Sequence, residues 1–299
     1  MNAFTNNLRT WTLLAALGGM LVAAGGLVGG QSGIVIALGF AVLLNGFVFW
    51  KSDSLALAAN GARELKPDEA PHLRAIVADL AARAGLPMPR LYIVDRPEPN
   101  AFATGRNPEH AAVAVTAGIL EIMDERRLTG VLAHEMSHVK NRDTLVGTIA
   151  ATIGGAISAL AQMGQFALIF GGRDDERNGS PLGALLAIIL APVAALVIQL
   201  AVSRGREYLA DSSGAALTRD PEGLAGALET LEAETARSTE GRRLGFGRRP
   251  APEPAPALNP AFAHLYFVNP LSGREIGRLF STHPPVRERV RRLRAMRAA

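Results

Sequence analysis

The stretch DERRLTGVLAHEMSHV, residues 124–139, carries the strongest signal for fold and chemistry in this chain. Its apolar residues recur at intervals of three and four, which predicts one amphipathic helix over the whole stretch. At the centre of this helix stands the five-residue motif His134-Glu135-Met136-Ser137-His138. Residues four apart lie on the same face of a helix, so the two imidazoles point to the same side.

Two histidines in this arrangement are typical ligands of a single zinc ion. Glu135 is close enough to act on a water at that ion without binding the ion itself. Zinc lowers the pKa of water towards about 7, and the carboxylate takes its proton as the oxygen attacks a peptide carbonyl. The motif predicts one Zn²⁺ per chain, with His134 and His138 as ligands and Glu135 as general base. The competing interpretation, a surface helix with two incidental histidines, is disfavoured by the apolar helical context.

A catalytic zinc ion takes a third protein ligand and keeps one position open. The chain has no cysteine, so this ligand must be His, Asp or Glu. The segment SRGREYLAD, residues 203–211, places Glu207 and Asp211 on one helix face. Glu207 as ligand and Asp211 as hydrogen-bond partner of an imidazole is one arrangement. Spacing alone does not choose among Glu207, Asp211 and the nearby Asp143.

Charge-free apolar runs surround these motifs, at residues 11–28, 34–50, 144–170 and 181–202. Each is near or above the length that spans a bilayer. The link GGQSG at residues 29–33 makes the first two a predicted hairpin. A cleaved signal peptide is the alternative for the first run, but the second run would still hold the chain in the membrane. For the last two runs the alternative is a buried helical hairpin inside the domain.

The runs divide the chain into four parts. We predict a transmembrane hairpin over residues 1–50 and the first part of a catalytic domain over 51–143. A second apolar hairpin follows over 144–202, and the second part of the domain covers 203–299 and ends in a basic helix. The fold class is therefore a mainly α-helical membrane protein with about four transmembrane helices and a zincin-like α+β metalloprotease domain.

Basic residues flank the apolar runs on one side only, which places both termini and the active site in the cytoplasm. A high content of Ala, Gly and Arg favours a bacterial source, and hence the plasma (inner) membrane. The net charge of +4 raises the question of nucleic acid. The basic residues form no patch interleaved with aromatic residues, and an anionic lipid surface accounts for them better. We expect the basic terminal helix, RERVRRLRAMRAA at residues 287–299, to be a solvated face, with membrane-surface contact as the alternative.

Four blocks of sequence together resemble the HtpX family of membrane zinc proteases, relatives of the prenyl-protein proteases that cut CaaX-type substrates. The blocks are NAFATG at residues 100–105, HEMSHVKNRD at 134–143, SRGREYLAD at 203–211 and THPP at 282–285. They occur in the family's order, flanked by the expected apolar runs. The pairing of the histidine motif with the RExxAD block is much more specific than the histidine motif alone.

The resemblance implies that Glu207 is the third zinc ligand and that Asp211 supports a ligating histidine. It also implies that the NAFATG segment lies beside the cleft, with Asn100 as a substrate-binding residue. A strand edge near the helix, predicted at Ala111 to Thr116, would pair with the substrate backbone. His283 would help to stabilise the oxyanion. A loop histidine without a catalytic role is the alternative for His283.

The function that the resemblance implies is that of a membrane-bound zinc endopeptidase acting in membrane protein quality control. Its partners would be protein or peptide substrates, misfolded membrane proteins in particular, and the lipid bilayer, with no nucleic acid. One alternative is a CaaX-type prenyl-protein protease, for which four spans are few. The other is a non-enzymatic membrane scaffold or chaperone-like subunit, against which the intact base and ligands argue.

Overall fold

The computed structural model describes residues 3–149, 204–243 and 284–296, and the architecture below is that of these residues. In chain order the elements are α1 (Ala3–Ala59), β1 (Ala62–Glu64), α2 (Pro71–Ala84), β2 (Arg90–Val94), β3 (Ala101–Thr104), β4 (Ala112–Thr116), α3 (Ala117–Ile122), α4 (Glu125–Lys140), α5 (Arg204–Thr218), α6 (Pro221–Arg243) and α7 (Val286–Met296). A short 3₁₀ turn, Pro108–His110, precedes β4, and residues 144–149 are helical.

Helix α1 is a hairpin that reverses direction at Gly30, inside the link predicted from the sequence. Gly30 has φ 58° and ψ −139°, a conformation that glycine adopts readily because it has no Cβ. The two halves contact each other in antiparallel order. The Asn45 side-chain amide donates a hydrogen bond of 3.0 Å to the Leu14 carbonyl, and the Trp11 and Phe49 rings stack at 6.1 Å. We call this element the α1 hairpin.

The second half of the α1 hairpin exposes many of its large apolar side chains. Among them are Val35, Ile36, Val42 and Leu43, each with more than three fifths of its surface exposed. Within the described residues, Gly30–Ala59 is the one helix long and apolar enough to cross a membrane. The structure thus offers one candidate for the four predicted spans. Beyond residue 149, the runs predicted at 144–170 and 181–202 lie outside the described residues.

The hairpin helix does not end with the apolar run at Trp50 but continues to Ala59, where it packs on the sheet. Leu57 joins a buried cluster on one sheet face, formed with Tyr92, Val94, Phe102, Ala112 and Ala114. The other sheet face belongs to the main core, which α2 and α4 cover through residues such as Val77, Leu80, Leu132 and Met136. The sheet therefore lies between the end of α1 and the helix that carries the histidine motif.

The four strands are arranged in the order β1-β2-β4-β3. Strands β2 and β4 are parallel, and β3 pairs antiparallel with β4. The prediction that residues 111–116 form a free edge is therefore wrong: β4 has a partner on each side, and the edge next to α4 is β3. The physical reason is that β4 is a central strand in which every residue is buried. The apolar sequence of such a strand predicts burial, but it does not show how many neighbouring strands it has.

Helix α4 is in close contact with α5 and α6, and glycines make this possible. A Cβ on Gly214 of α5 would lie 2.9 Å from the His134 backbone nitrogen, and one on Gly130 of α4 would lie 2.6 Å from the Leu224 nitrogen. Both distances are shorter than a carbon atom tolerates. Helix α7 closes the group by packing on α5 and α6 with its Val290 and Leu293 face.

Candidate metal centre

Three side chains from two helices meet below the edge strand. His134 and His138 on α4 and Glu207 in the first turn of α5 have ligand atoms that all lie within 4.8 Å of one another. The two Nε2 atoms are 3.1 Å apart, and the Glu207 oxygens are 3.7 Å from that of His134 and 3.8 Å from that of His138. The structure thus brings together the ligand set that the sequence and the resemblance predict.

The donors fit a small tetrahedral divalent cation. Two nitrogens bound to zinc at 2.0–2.1 Å and a tetrahedral angle lie about 3.3 Å apart, close to the separation found here. Two imidazoles and one carboxylate are also a ligand set that catalytic zinc sites use, leaving a fourth position open. The chemistry of the donors and their spacing therefore both agree with one zinc ion.

A carboxylate holds each histidine ring from behind. His134 Nδ1 lies 2.9 Å from Asp211, and His138 Nδ1 lies 3.0 Å from Asp143. Each protonated Nδ1 therefore donates a hydrogen bond to its carboxylate. The Nε2 atom of each ring is left free to bind a metal. Spacing left Asp143 open as a possible ligand, and the structure gives it this supporting position instead.

The turn after α4 brings Asp143 back to the ring that it supports. Arg142 adopts a left-handed conformation with φ 56°, and the Asp143 backbone N–H donates to the His138 carbonyl at 3.2 Å. A left-handed residue costs energy for a side chain with a Cβ, so the surrounding structure must hold this turn in place. The KNRD sequence that follows the motif is thus part of the site.

Behind Asp211 lies an arginine that sequence reasoning missed. Arg289 of α7 is almost completely buried, with 1% of its side chain exposed. Its guanidinium donates hydrogen bonds to both Asp211 oxygens, at 2.7 and 2.9 Å. A bidentate arginine–carboxylate pair of this kind is strong and fixes geometry. Arg289, Asp211 and His134 form a continuous chain of polar contacts that leads from α7 to the metal position.

The sequence did contain a signal for Arg289. We predicted a solvated basic helix, and this is wrong for Arg289, although its neighbours Arg291, Arg292 and Arg294 are exposed. Arg289 precedes Leu293 by four residues and Val290 by one, so it shares the apolar face of α7. A lone cation on an apolar face indicates a buried ion pair.

The carboxylates give the site a strong attraction for positive charge. Burial lowers the pKa of His138, but Asp143, and then Glu207 and Glu135, outweigh it and raise the pKa to about 10. For His134 burial again lowers the pKa, and hydrogen bonds to Asp211 and Glu207 raise it above the ordinary value. A cluster of carboxylates that favours protonated histidines also favours a divalent cation.

Glu135 faces the edge strand. Its Oε2 accepts a hydrogen bond of 2.8 Å from the backbone N–H of Ala103 in β3. Burial raises the pKa of the Glu135 carboxyl, and the nearby His138 and His134 offset this only in part. The residue expected to act as the base therefore lies between the metal ligands and the edge strand of the sheet.

The remaining predicted residues have different outcomes. Asn100 is buried directly before β3, where its backbone exchanges hydrogen bonds with Thr116: Asn100 N–H donates to Thr116 Oγ1, and Thr116 N–H donates to Asn100 O. These contacts fix the start of the edge strand, and the substrate-binding role of Asn100 stays a prediction. His283 lies outside the described residues, so its role also stays a prediction.

Comparison with known proteins agrees with the site. The family model "Peptidase family M48" matches residues 67–297. The chain is 50% identical over 292 residues to "Protease HtpX homolog" of Persephonella marina, covering 97% of both chains. It is also 50% identical over 292 residues to the protein of the same description in Desulforapulum autotrophicum, covering 97% of this chain and 89% of that one. These matches confirm the family resemblance drawn from the four sequence blocks.

Among solved structures, the chain is similar to Ste24p of S. mikatae, with a TM-score of 0.48 and 18% sequence identity. The match covers 97% of this chain and 66% of that one. The match to the M48 family model extends from just before α2 to the end of α7. It contains His134, His138 and Glu207. The chain belongs to peptidase family M48.

Proposed function

We propose that this peptidase is a membrane-anchored, zinc-dependent endopeptidase that cleaves other proteins next to the cytoplasmic face of the membrane. The observation that carries the proposal is the cluster of His134, His138 and Glu207, with Glu135 between the cluster and the edge strand. His134, His138 and Glu207 would hold the zinc ion. When bound, zinc acts as a Lewis acid that polarises a carbonyl and lowers the pKa of water.

The protein's own groups handle the proton. Glu135 accepts a proton from the attacking water at its carboxylate and passes it to the leaving amine. Its raised pKa suits both steps, since the ideal pKa of a general base lies near the working pH. The Ala103 N–H holds one Glu135 oxygen in place, which limits the side chain to an orientation directed at the substrate edge.

The edge of β3 offers the substrate a place to bind. One side of β3 pairs with β4, and its other side faces Glu135 through Ala103. An extended peptide that adds to this edge by backbone hydrogen bonds passes directly beside the base. Because such bonds depend on backbone and not on side-chain identity, they suit a protease with broad substrates, as quality control of misfolded membrane proteins requires.

The membrane location rests on the α1 hairpin. Its exposed apolar surface is of the kind that lipid covers, and Asn45 is directed at the partner helix. Lys51 follows the second apolar run and Arg142 precedes the third, both on the side of the catalytic domain. This position of the basic residues favours a catalytic domain on the cytoplasmic face. Within a bacterial cell, this is the plasma membrane.

The test is zinc-dependent proteolysis by the full chain in detergent. The protein is purified under chelator, zinc is added, and cleavage of casein is followed for the wild type, Glu135→Gln and Glu121→Gln. Glu121 is an exposed residue of α3, so the matched control removes the same charge away from the site. We expect one zinc ion per chain in all three, with cleavage about 10²- to 10⁴-fold slower in Glu135→Gln only.

Other outcomes distinguish the alternatives. Zinc binding without proteolysis by the wild type would favour the scaffold. Cleavage restricted to peptides with a prenylated carboxyl terminus would favour the CaaX-type protease. A protein that binds no zinc would contradict the metal centre itself.

A further inference from the structure

Three aromatic side chains gather at one end of the α1 hairpin. The Trp11 ring stacks on Phe49 at 6.1 Å, and Phe49 meets Trp50 edge to face at 6.0 Å. Trp11 and Trp50 are both about three fifths exposed. Trp50 ends the second charge-free run, and Lys51 follows it. Aromatic residues at the end of an apolar helix are typical of the membrane–water interface, and we call this group the aromatic belt.

An arginine of the catalytic domain contacts the aromatic belt. The Arg106 guanidinium lies over the Trp50 ring, 4.6 Å from its centroid. Arg106 follows the last residue of β3 by two positions. The contact therefore joins the edge strand, which lies beside Glu135, to the end of the second apolar run.

The backbone at this point is firmly held. Gly105 has φ 132°, and a Cβ there would lie 2.6 Å from the His110 carbonyl oxygen, so only glycine fits. The Gly105 carbonyl accepts a hydrogen bond of 2.9 Å from Thr144 Oγ1, at the start of the third apolar run. Arg106 is thus placed by the fold between two apolar runs, unlike an arginine on a mobile surface loop.

The charge of Arg106 has no internal counterpart in the part of the chain that the structure describes. Its guanidinium makes no ion pair with a described carboxylate, whereas Arg90 at the same junction pairs with Asp53 at 2.9 Å. Stacking engages the face of the planar guanidinium and leaves its N–H edges available to bind two oxygens of an anion such as a phosphate. Lys51 adds a second cation next to Trp50.

We propose that Trp50 and Arg106 form a binding site for the headgroup of an anionic phospholipid. Arg106 donates hydrogen bonds to the lipid phosphate, and Trp50 lies at the level of the interface. By holding the end of β3, this lipid keeps the substrate-binding edge at the membrane surface. The inference rests on the membrane location of the α1 hairpin, which is part of the proposed function.

Tryptophan quenching by brominated lipids tests this directly. The chain has two tryptophans, so Trp11→Phe leaves Trp50 as the single probe. The full-length Trp11→Phe protein, carrying Glu135→Gln to prevent self-cleavage, is placed in vesicles of phosphatidylcholine and phosphatidylglycerol. Either lipid is supplied brominated near the headgroup end of its chains, at equal mole fraction. The ratio of the two quenching curves gives the relative affinity of lipid next to Trp50.

We expect phosphatidylglycerol to be preferred about fivefold, the effect of one basic residue near an anionic surface. Arg106→Gln should remove most of this preference, Arg106→Lys should keep more of it because the charge remains, and the control Arg237→Gln should leave it unchanged. Equal quenching by both lipids before any change at Arg106 would overturn the inference, as would equal losses in the Gln and Lys variants. Absence of quenching by either lipid would instead overturn the membrane location on which it rests.

Discussion

The α1 hairpin and the helices around the metal centre place polar and apolar side chains in opposite ways. In the second half of the hairpin many large aliphatic side chains face outward, while Asn45 is directed at the other helix. Around α4, α5 and α7 the outer surface is charged, and ionised groups such as Asp211 and Arg289 are buried at the centre. The two regions therefore suit different surroundings, lipid for the hairpin and water for the catalytic domain.

The difference shows where the buried charge is used. In the hairpin, the Asn45 amide that joins the two halves is uncharged. In the catalytic domain the buried carboxylates raise the pKa of His134 and His138 and so prepare a strong site for a cation. Substitutions in either region should therefore weaken either the metal centre or the α1 hairpin, with the largest effects expected at the metal centre.

Removing a ligand should have the largest effect. We expect Glu207→Gln to lower zinc affinity by more than the roughly 100-fold that loss of a supporting partner costs, with proteolysis falling in parallel. Glu234→Gln, on the neighbouring helix α6, is the matched control and should keep full zinc content. Zinc titration against a chelating dye measures both. Unchanged affinity in Glu207→Gln would mean that Glu207 is not a ligand.

Arg289→Met should be the most destabilising change outside the ligands. It leaves Asp211 buried without its cation, which costs about 3 kcal/mol or more in the free energy of unfolding. Arg291→Met removes a charge from the exposed side of the same helix and should change it by less than about 0.5 kcal/mol. Denaturant unfolding in mild detergent compares the two. Adding Asp211→Asn to Arg289→Met should recover part of the loss, and failure to do so would show that the pair is not coupled.

Gly214→Ala tests the close approach of α5 to α4. The new methyl would lie 2.9 Å from the His134 nitrogen, so we expect a loss of about 1–3 kcal/mol and weaker zinc binding. In Gly226→Ala the methyl meets only the flexible Arg127 side chain at 3.3 Å, and higher helix propensity should stabilise the protein by up to about 1 kcal/mol. Thermal unfolding compares the two, and equal shifts would argue against a contact at Gly214.

Asn45→Leu should have the smallest effect. It removes the 3.0 Å hydrogen bond between the two halves of the α1 hairpin, which in a membrane is worth about 0.6 kcal/mol. Leu43→Ile, on the exposed face of the same helix, is the control and should be neutral. Unfolding in bicelles measures the difference. A loss of several kcal/mol would mean that Asn45 has a role beyond pairing the helices.

Features set by local spacing were predictable from the sequence. The apolar period at Leu73, Ile76, Val77 and Leu80 predicts α2, and the structure buries these residues within Pro71–Ala84. The histidine motif likewise places His134 and His138 side by side, because a helix fixes the relation between positions four apart. Glu207 required the resemblance, since spacing along the chain does not say which distant carboxylate approaches the ligands.

Features set by contacts between distant segments were not predictable in the same way. An apolar strand has the same pattern whether it has one neighbour or two, so the pattern does not identify β3, and not β4, as the edge strand. Arg289 lies 78 residues from Asp211 along the chain. The position of Arg289 on the apolar face of α7 indicates burial, but its partner is determined only by the packing of α7 on α5.

The polar chain from His134 through Asp211 to Arg289 also bears on the order of events during synthesis. Arg289 is 155 residues downstream of His134, and Glu207 and Asp211 emerge only after the whole stretch from 150 to 203. Domains generally form as their segments leave the ribosome, beginning at the amino end. A growing chain that already contains both histidines therefore still lacks Glu207 and the Arg289–Asp211 pair. A chain that ends before Glu207 should therefore have no complete metal centre and no peptidase activity.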